Sequence, residues 1–264
     1  DDKLPNKTSS FISNPANKKN IDIRKSFTKA ISTYEQEAFV QYQIATELCR
    51  LLSVYSDHPI SSILEIGCGT GFFTRLLRTS FPSATITAND LCSEVVNYIP
   101  DDIKFISGDM ETINFPDKYD LIAGSSAIQW LENLPLFSEK MNRTLSEKGL
   151  VAISTFGEKN LTEIKQITDI GLSYFTEPDL EHIISSSFQI IKMKEEIKTV
   201  YFPSPKDVLL HLKRSGVNGI TSEKWTKSDL LYFTNQYNKL FKSDYGVSLT
   251  YHPIYIIASK KQKS

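Results

Sequence analysis

The sequence predicts an α/β fold with a mostly parallel, doubly wound sheet. An apolar run over residues 63–66 passes straight into a glycine-rich turn and then into an amphipathic stretch, which is the pattern of strand, turn and helix. A second apolar run over residues 119–123 is typical of a parallel strand that is buried on both faces. Predicted strands and helices alternate through five strands, as far as Phe156, as this fold class requires.

The turn after the first strand has the spacing G-x-G-x-G, with Gly67, Gly69 and Gly71. Glycine lets the backbone approach a ligand closely, and the free N–H groups of the following helix face the turn. A dinucleotide-binding turn has the pattern G-x-G-x-x-G, and its last glycine would stand where this chain has Phe72. The turn therefore suits a nucleoside without a pyrophosphate, such as S-adenosylmethionine (SAM), better than NAD.

The second strand, residues 84–88, ends at Asn89 and Asp90. Rossmann-like folds place a ribose-binding acid roughly 20 residues after the first glycine. Asp90 is therefore the expected ribose ligand, although Asn89 beside it leaves open which of the two makes the contact.

The third and fourth strands bring further candidates to the same edge of the sheet. The third strand, residues 103–106, closes on Asp109 and Met110, which could accept from an adenine amine and pack on the adenine ring. An ordinary acidic turn is the alternative there. Ser125 and Gln129 follow the fourth strand, and we expect them at the mouth of the site.

The rest of the chain is predicted from periodicity, cap signals and prolines. Its elements are helices over residues 21–52, a helix at 134–145, a strand at 150–156, helices at 160–170 and 177–185, a long strand or edge pair at 188–202, helices at 205–215 and 226–242, and a final strand at 247–259. The helical piece at about 203–245 is predicted to cap the ligand crevice. Residues 1–20 are predicted to form a mobile arm, and residues 21–264 a single domain.

Composition excludes several classes of protein. The chain has 264 residues, a net charge of −1 and 23% charged residues, so the totals indicate no nucleic-acid partner. Its three cysteines show no metal-ligand spacing, so we expect a reducing compartment and no metal site. No apolar run approaches the roughly 18 residues of a membrane span, and the N-terminus has no apolar signal-peptide core. We therefore expect a soluble cytoplasmic protein without a membrane partner.

Two basic clusters are candidate contacts for an acidic partner. One lies at residues 17–30, and the other, with Lys213 and Arg214, lies just before the glycine pair Gly216 and Gly219. Both also fit simpler interpretations, because solvated helix faces are commonly charged and the helix dipole favours cations at a C-terminus.

The chain resembles the class I SAM-dependent methyltransferases in Asp90 and three motifs, EIGCGTG, GDME and SSAIQWL. It resembles more closely the malonyl-[acyl-carrier protein] O-methyltransferase family of biotin synthesis. The stretches that carry this resemblance are SFTKAISTYEQEAFVQ (26–41), AIQW (127–130), STFGEKNLTEI (154–164), VLLHLKRSGVNG (208–219) and LTYHP (249–253). The resemblance implies a Rossmann-like fold with a seven-stranded sheet and an antiparallel last strand, one SAM, and methyl transfer to the free carboxylate of a malonyl thioester.

The resemblance also implies an acidic acyl carrier protein bearing the malonyl group, or malonyl-CoA, as the partner. We expect the chain to be a monomer. Resemblance and placement together give two sets of candidate residues. The expected cofactor contacts are Gln41, Glu65, Gly67, Cys68, Gly69, Gly71, Asp90, Leu91, Asp109, Met110 and Ser125. The expected acceptor-positioning residues are Tyr34, Gln129, Lys213, Arg214 and His252.

A general base is not expected at this site. A malonyl carboxylate, with a pKa near that of other carboxylic acids, about 4, is already ionised at neutral pH. Strong pairing of the attacking oxygen would slow its attack, because that oxygen loses charge in the transition state. We therefore expect one cation or a few neutral donors on the oxygen that does not react.

Three alternatives remain at this stage. The chain could methylate a free small carboxylic acid of the aconitate type, or a quinone precursor. It could also bind SAM without turnover. An NAD-dependent oxidoreductase is disfavoured by Phe72.

Overall fold

The computed structural model describes residues 15–56, 58–168, 173–216 and 225–261. Within these residues the strands form two sheets. The strands are β1 (Ser62–Ile66), β2 (Thr85–Asp90), β3 (Lys104–Ser107), β4 (Tyr119–Ser125), β5 (Leu145–Phe156), β6 (Phe188–Glu195), β7 (Lys198–Phe202), β8 (Lys242–Ser243), β9 (Gly246–Tyr251) and β10 (Pro253–Lys260). The main sheet has seven strands in the order β3-β2-β1-β4-β5-β10-β6. Only β10 is antiparallel to its neighbours in this sheet, so the predicted fold class is confirmed.

Helices cover both faces of the main sheet. They are α1 (Pro15–Glu37), α2 (Phe39–Tyr55), α3 (Phe72–Ser80), α4 (Leu134–Thr144), α5 (Thr162–Thr168), α6 (Glu177–Ser187), α7 (Pro205–Arg214) and α8 (Lys227–Phe241). One buried cluster holds Ile63 together with residues of α2 and α3, and the other holds Leu64 with residues of α4 and α6. Neighbouring residues of β1 point to opposite faces, so both clusters are anchored on the same strand.

The predicted final strand over residues 247–259 is wrong, because the chain there forms two strands in two sheets. β9 pairs with β7 and β8 in a separate antiparallel sheet, whereas β10 lies between β5 and β6. The break falls at His252, whose carbonyl accepts a hydrogen bond from Gly157 N at 2.8 Å. Residues 188–202 divide between the same two sheets, as β6 and β7, and not as one strand or an edge pair.

The N-terminal helix begins at Pro15, earlier than the predicted start at residue 21. Residues 1–14 of the predicted arm lie outside the described residues, as does Gly219. α1 packs against α7, so the first helix meets the helical segment that precedes the last strands. No helix among the described residues is long and apolar enough to cross a membrane.

Candidate active site

A cavity of about 180 Å³ lies where the main parallel strands end. Its walls come from the turns after β1, β2, β3 and β4, from the two N-terminal helices and from the end of α7. It is lined by Phe27, Tyr34, Gln41, Tyr42, Ala45, Gly67, Cys68, Gly69, Thr70, Phe72, Phe73, Asn89, Asp90, Leu91, Cys92, Asp109, Met110, Glu111, Ser125, Ser126, Ala127, Gln129, Trp130, Leu131, Phe156, Ser215 and Gly216. This is the edge of the sheet at which doubly wound folds bind their ligands.

The glycine turn forms the floor of the cavity. Gly67, Gly69 and Gly71 all have positive φ angles, of 65°, 52° and 77°. A Cβ on Gly67 would lie 2.5 Å from the Cβ of Ala127, which leaves no room for a side chain. Gly71 is the N-cap of α3 and has no side chain to satisfy the first N–H groups of that helix. The first N–H groups of α3 are therefore open to a ligand.

Asp90 is tied directly to the glycine turn. Its Oδ2 accepts from Gly69 N at 2.9 Å, and its Oδ1 accepts from Cys92 N at 2.8 Å. Burial raises the pKa of Asp90, and the backbone donors oppose that shift. The side-chain amide of the neighbouring Asn89 instead donates to the carbonyls of Ile106 and Gly108. Asp90 is thus the better placed of the two for a ribose, and Asn89 holds β2 to the end of β3 and to Gly108 just after it.

Ser125, at the end of β4, and Gln129, in the segment that follows, both line the cavity. Ser126 between them has a positive φ of 54°, which is unusual for a residue with a Cβ. Gln129 Nε2 donates to Ser126 O at 2.6 Å. The Gln129 Oε1 and the Ser126 Oγ are buried without a hydrogen-bond partner among the described residues. Two polar atoms therefore remain available to a ligand.

Glu65 lies beneath the floor and does not line the cavity. Glu65 is 1% exposed, and neither of its carboxylate oxygens has a hydrogen-bond partner among the described residues. Burial raises the pKa of Glu65 to about 8, and the charge of Asp90 adds to the rise. Glu65 is therefore largely protonated at neutral pH, a state that its sequence position did not reveal.

The roof of the cavity is built by α1, α2 and the end of α7. Phe27 lies between the glycine turn and the end of α7, because Cβ atoms built on Gly69 and Gly216 would lie 3.5 and 3.3 Å from its ring. Tyr34 packs edge-on against Phe27, with ring centroids 5.1 Å apart. Burial raises the pKa of Tyr34, with Tyr42 and Asp90 adding to the rise, so its phenol stays protonated. Phe27 falls in a stretch predicted only to be helical, and the packing shows its place over the turn.

Phe72, whose identity argued against a dinucleotide, stacks on Tyr42 with ring centroids 4.1 Å apart and an interplanar angle of 24°. Both rings line the cavity, next to Gln41. The Oε1 of Gln41 is buried and has no partner among the described residues. An aromatic pair and an unpaired amide oxygen thus form the α2 side of the site.

Three of the residues predicted to position the methyl acceptor do not line the cavity. His252 is buried between the two sheets, where its Nε2 lies 2.9 Å from Glu195 Oε2 and its Nδ1 accepts from Lys159 N at 3.2 Å. Arg214 is 45% exposed and donates to Glu37 at 3.1 Å, and Lys213 is exposed. These side chains are directed away by packing, so their chemistry alone was a poor guide to their position.

Glu37 also meets His211, which is 1% exposed. His211 Nδ1 lies 3.1 Å from Glu37 Oε2, and its Nε2 lies 2.7 Å from the Tyr251 hydroxyl. Since a carboxylate only accepts, the ring proton belongs on Nδ1, and Nε2 accepts from Tyr251. Burial lowers the pKa of His211, in keeping with a neutral ring. This network joins α1, α7 and β9 immediately behind the roof.

The charged side chains that line the cavity are all acidic among the described residues. Among the described residues that line the cavity, three are acidic, namely Asp90, Asp109 and Glu111, and none is Lys, Arg or His. Neutral donors are present in Tyr34 and Gln129 and in the indole of Trp130. A cationic ligand is therefore favoured in the cavity, and an anion beside it would be met by neutral groups.

The residues present fit SAM. Three features suit its amino acid head: a turn that a single Cβ would fill, helix N–H groups without a side-chain cap, and the buried Oε1 of Gln41, which has no partner among the described residues. The acids Asp90 and Asp109 stand where its ribose and adenine are expected. The described residues contain no cluster placed to hold a metal ion.

Comparison with known proteins decides the family. The sequence profile of a family described as a methyltransferase domain matches residues 64–153. The chain is 42% identical over 256 residues to a malonyl-[acyl-carrier protein] O-methyltransferase of Bacteroides thetaiotaomicron, covering 91% of this chain and 98% of that protein. The chain belongs to the malonyl-[acyl-carrier protein] O-methyltransferase family.

Two further comparisons agree with this assignment. A malonyl-[acyl-carrier protein] O-methyltransferase of Bacteroides fragilis is 41% identical over 253 residues, which are 94% of this chain and 52% of that longer protein. The N-methyltransferase NodS of Bradyrhizobium japonicum, solved with S-adenosyl-L-homocysteine (SAH), shares the fold with a TM-score of 0.53 at 12% identity, covering 91% of this chain and all of that one. Family and fold make the chain a SAM-dependent methyltransferase, so the predicted activity class and cofactor are confirmed.

Proposed function

We propose that the chain transfers the methyl group of SAM to the free carboxylate of malonyl-[acyl-carrier protein], forming a methyl ester. The observation that carries the proposal is the cavity itself, in which the glycine turn and the neutral donors Tyr34, Gln129 and Trp130 share one lining with no cation among its described residues. The malonyl acceptor comes from the named activity of the relatives, which match this chain over nearly its full length.

The cofactor, when bound, supplies an electrophilic methyl group on a positively charged sulfur. The protein's part is to hold that group and to keep water away. The backbone of Gly67 and Gly69 and the amide of Gln41 are the proposed contacts of the amino acid head, and Asp90 that of the ribose. Asp109 and Met110 are proposed for the adenine, with Leu91 and Cys68 as apolar or weakly polar walls.

The acceptor side needs alignment and not proton transfer, because the carboxylate is already ionised. Tyr34 and Gln129 are proposed to hold the oxygen that does not react. A neutral phenol or amide donor fixes the carboxylate without cancelling the charge of the attacking oxygen, as a buried cation would. Holding the two reactants in line accounts for much of the rate, since effective molarity is worth roughly 7–11 kcal/mol.

The carrier protein is proposed to dock at the junction of α1 and α7. Lys29 on α1 and Lys213 on α7 are exposed there, whereas Arg214 is engaged by Glu37. The side chains of Lys18 and Lys19, part of the predicted basic cluster, lie outside the described residues. We expect the apparent KM for an acidic carrier protein to rise with salt, and that for a small acceptor to change little.

The experiment that tests the proposal compares acceptors under methyl-labelled SAM. Malonyl-carrier protein, malonyl-CoA, free malonate, aconitate and acetyl-carrier protein are offered in parallel, and the labelled products are separated. The highest kcat/KM is expected for malonyl-carrier protein, and none for the acetyl form, which has no free carboxylate. A preference for free acids would support the small-acid alternative and overturn the proposal. Rescue of a biotin-requiring strain that lacks this step is expected to agree with the in vitro result.

A further inference from the structure

Lys140 on α4 binds three backbone carbonyls of a single loop, a contact that no sequence motif predicts. Its ammonium donates to the backbone carbonyls of Met110 at 2.7 Å and Glu111 at 3.2 Å, and also to that of Ile113. The ring of Phe115 lies beneath it, with the ring centroid 5.1 Å from Nζ. An ammonium has three hydrogens, and here each has a backbone acceptor in the same short loop.

That loop, residues 108–113, forms the wall of the cavity after β3. The chain doubles back tightly, because a Cβ on Gly108 would lie 2.6 Å from the Cγ2 of Ile113. Asp109 and Met110, within the loop, line the cavity at the place assigned to adenine. The carbonyls bound by Lys140 belong to the same residues whose side chains form this wall, or to close neighbours.

A second contact ties the loop to the start of α4. The carboxylate of Glu111 accepts from the backbone nitrogens of Glu132 and Asn133 at 2.9 and 2.8 Å. Burial lowers the pKa of Lys140, and the charges of Asp109 and Glu111 oppose that shift. The start of the loop is held by β2, because Gly108 N donates to Asp90 O at 2.8 Å and Asn89 Nδ2 donates to Gly108 O at 3.0 Å. Residues 110–113 are held by α4 and the turn before it, and Lys140 supplies three of those contacts.

We propose that Lys140 is a positioning residue for the cofactor, holding the 108–113 loop in the shape that receives the adenine ring. Without its ammonium, the three carbonyls lose their donor, and the segment over residues 110–113 must be ordered in part by the ligand. The ordering free energy then subtracts from binding of any ligand that carries the adenosine group. The proposed acceptor contacts, Tyr34 and Gln129, involve none of these carbonyls, so this term does not enter acceptor binding.

The test is calorimetric titration of Lys140→Met with SAH, and separately with 5′-methylthioadenosine, which has the adenosine but no amino acid head. We expect both affinities to fall by the same factor, about tenfold, in line with the loss of charge-assisted hydrogen bonds. Lys118→Met is the matched control, because Lys118 is exposed and donates to the Arg143 carbonyl, outside this loop. At saturating SAM, kcat and the acceptor KM of the Lys140 variant are expected to be unchanged.

Lys140→Arg, which keeps a cation and several donors, is expected to recover most of the affinity. If Lys140→Met has no cooperative melting transition, Lys140→Gln takes its place in the same titrations. Affinities within twofold of the wild type, or a loss for SAH without an equal loss for 5′-methylthioadenosine, would overturn the proposal. Since no acceptor is present in the titrations, the result is independent of whether malonyl-carrier protein is the substrate.

Discussion

The Oδ2 of Asp90 accepts a hydrogen bond from the backbone nitrogen of Gly69 at 2.9 Å. The proposed ribose ligand and the glycine turn are therefore one unit, because the same carboxylate shapes the turn and faces the cavity. Cys92 N binds the other oxygen. Both oxygens of Asp90 are acceptors from backbone, and each still has a lone pair for a ligand.

Asp90→Asn is expected to weaken SAH binding by one to two orders of magnitude. An amide has one acceptor oxygen, so its NH₂ group must face the N–H of either Gly69 or Cys92, which removes a charge-assisted hydrogen bond and sets two donors together. Calorimetry measures the affinity. Asp120→Asn is the control, since Asp120 also accepts from backbone N–H groups, of Ser61 and Ser62, but not in the cavity lining. Equal losses in the two variants would contradict the assignment.

Gly67→Ala is expected to abolish SAH binding, and Gly69→Ala to weaken it much less. A Cβ at Gly67 would clash with the Cβ of Ala127 at 2.5 Å, whereas one at Gly69 meets only the ring of Phe27 at an ordinary 3.5 Å. Both substitutions also cost about 1–2 kcal/mol, because a residue with a Cβ is strained in the left-handed conformation of these two glycines. Melting temperature and SAH affinity are measured together. A Gly67→Ala protein that binds like the wild type would show that the floor has been misplaced.

The buried carboxyl of Glu65 is expected to make the stability of the protein depend on pH. Its carboxyl ionises near 4.5 in the unfolded chain and near 8 when folded, so the folded protein holds the extra proton between these values. The free energy of unfolding therefore falls as pH rises from 4.5 to 8, by about 5 kcal/mol at most. Glu65→Gln removes this dependence. As the pH rises from about 6 to about 8.5, just past the folded-state pKa, we expect the melting temperature of the wild type to fall relative to that of the variant. If the melting temperatures of the two proteins change with pH in the same way, Glu65 is not a buried neutral acid.

Tyr34→Phe is expected to raise the KM for malonyl-carrier protein about tenfold while SAH affinity changes little. The phenol has one donor to offer the carboxylate, and a lost hydrogen bond to a charged group is worth about 1.5–3 kcal/mol. Tyr232→Phe serves as the control, because Tyr232 is 59% exposed on α8. A KM equal to that of the control variant would remove Tyr34 from the acceptor site.

Arg214→Ala is expected to leave the acceptor KM within about threefold of the wild type. Its side chain is turned to Glu37 and does not line the cavity, and an exposed ion pair contributes about 0–1 kcal/mol to stability. Steady-state kinetics and thermal unfolding are the measurements. A large rise in KM with unchanged stability would restore the sequence-based hypothesis that Arg214 binds the carboxylate.

The sequence predicted what depends on local pattern. Strand, glycine spacing and the acid at Asp90 follow from periodicity and chain distance, and the cavity lies where these rules place it. Its failures concern contacts between distant segments. Residues 247–259 are apolar enough for one strand, and only hydrogen bonds to other segments show the break at His252.

The positions of charged side chains were equally out of reach. Lys213, Arg214 and His252 have suitable chemistry, but their directions are set by Glu37, by Glu195 and by the surface. Lys140 follows the loop that it binds by a whole strand and turn, and on an amphipathic helix it has the pattern of a surface lysine. Periodicity gives the face of an element and does not give the partner of a side chain.

In the proposed reaction, SAM held on the glycine turn delivers its methyl group to a carboxylate bound under the α1–α7 roof. A single-turnover chase experiment follows that transfer. The protein is loaded with methyl-labelled SAM, then mixed with malonyl-carrier protein and excess unlabelled SAM. We expect the label to appear on the malonyl group as an ester before the bound SAM exchanges. Label that stays on SAM, or that reaches carrier protein without a malonyl group equally well, would contradict it.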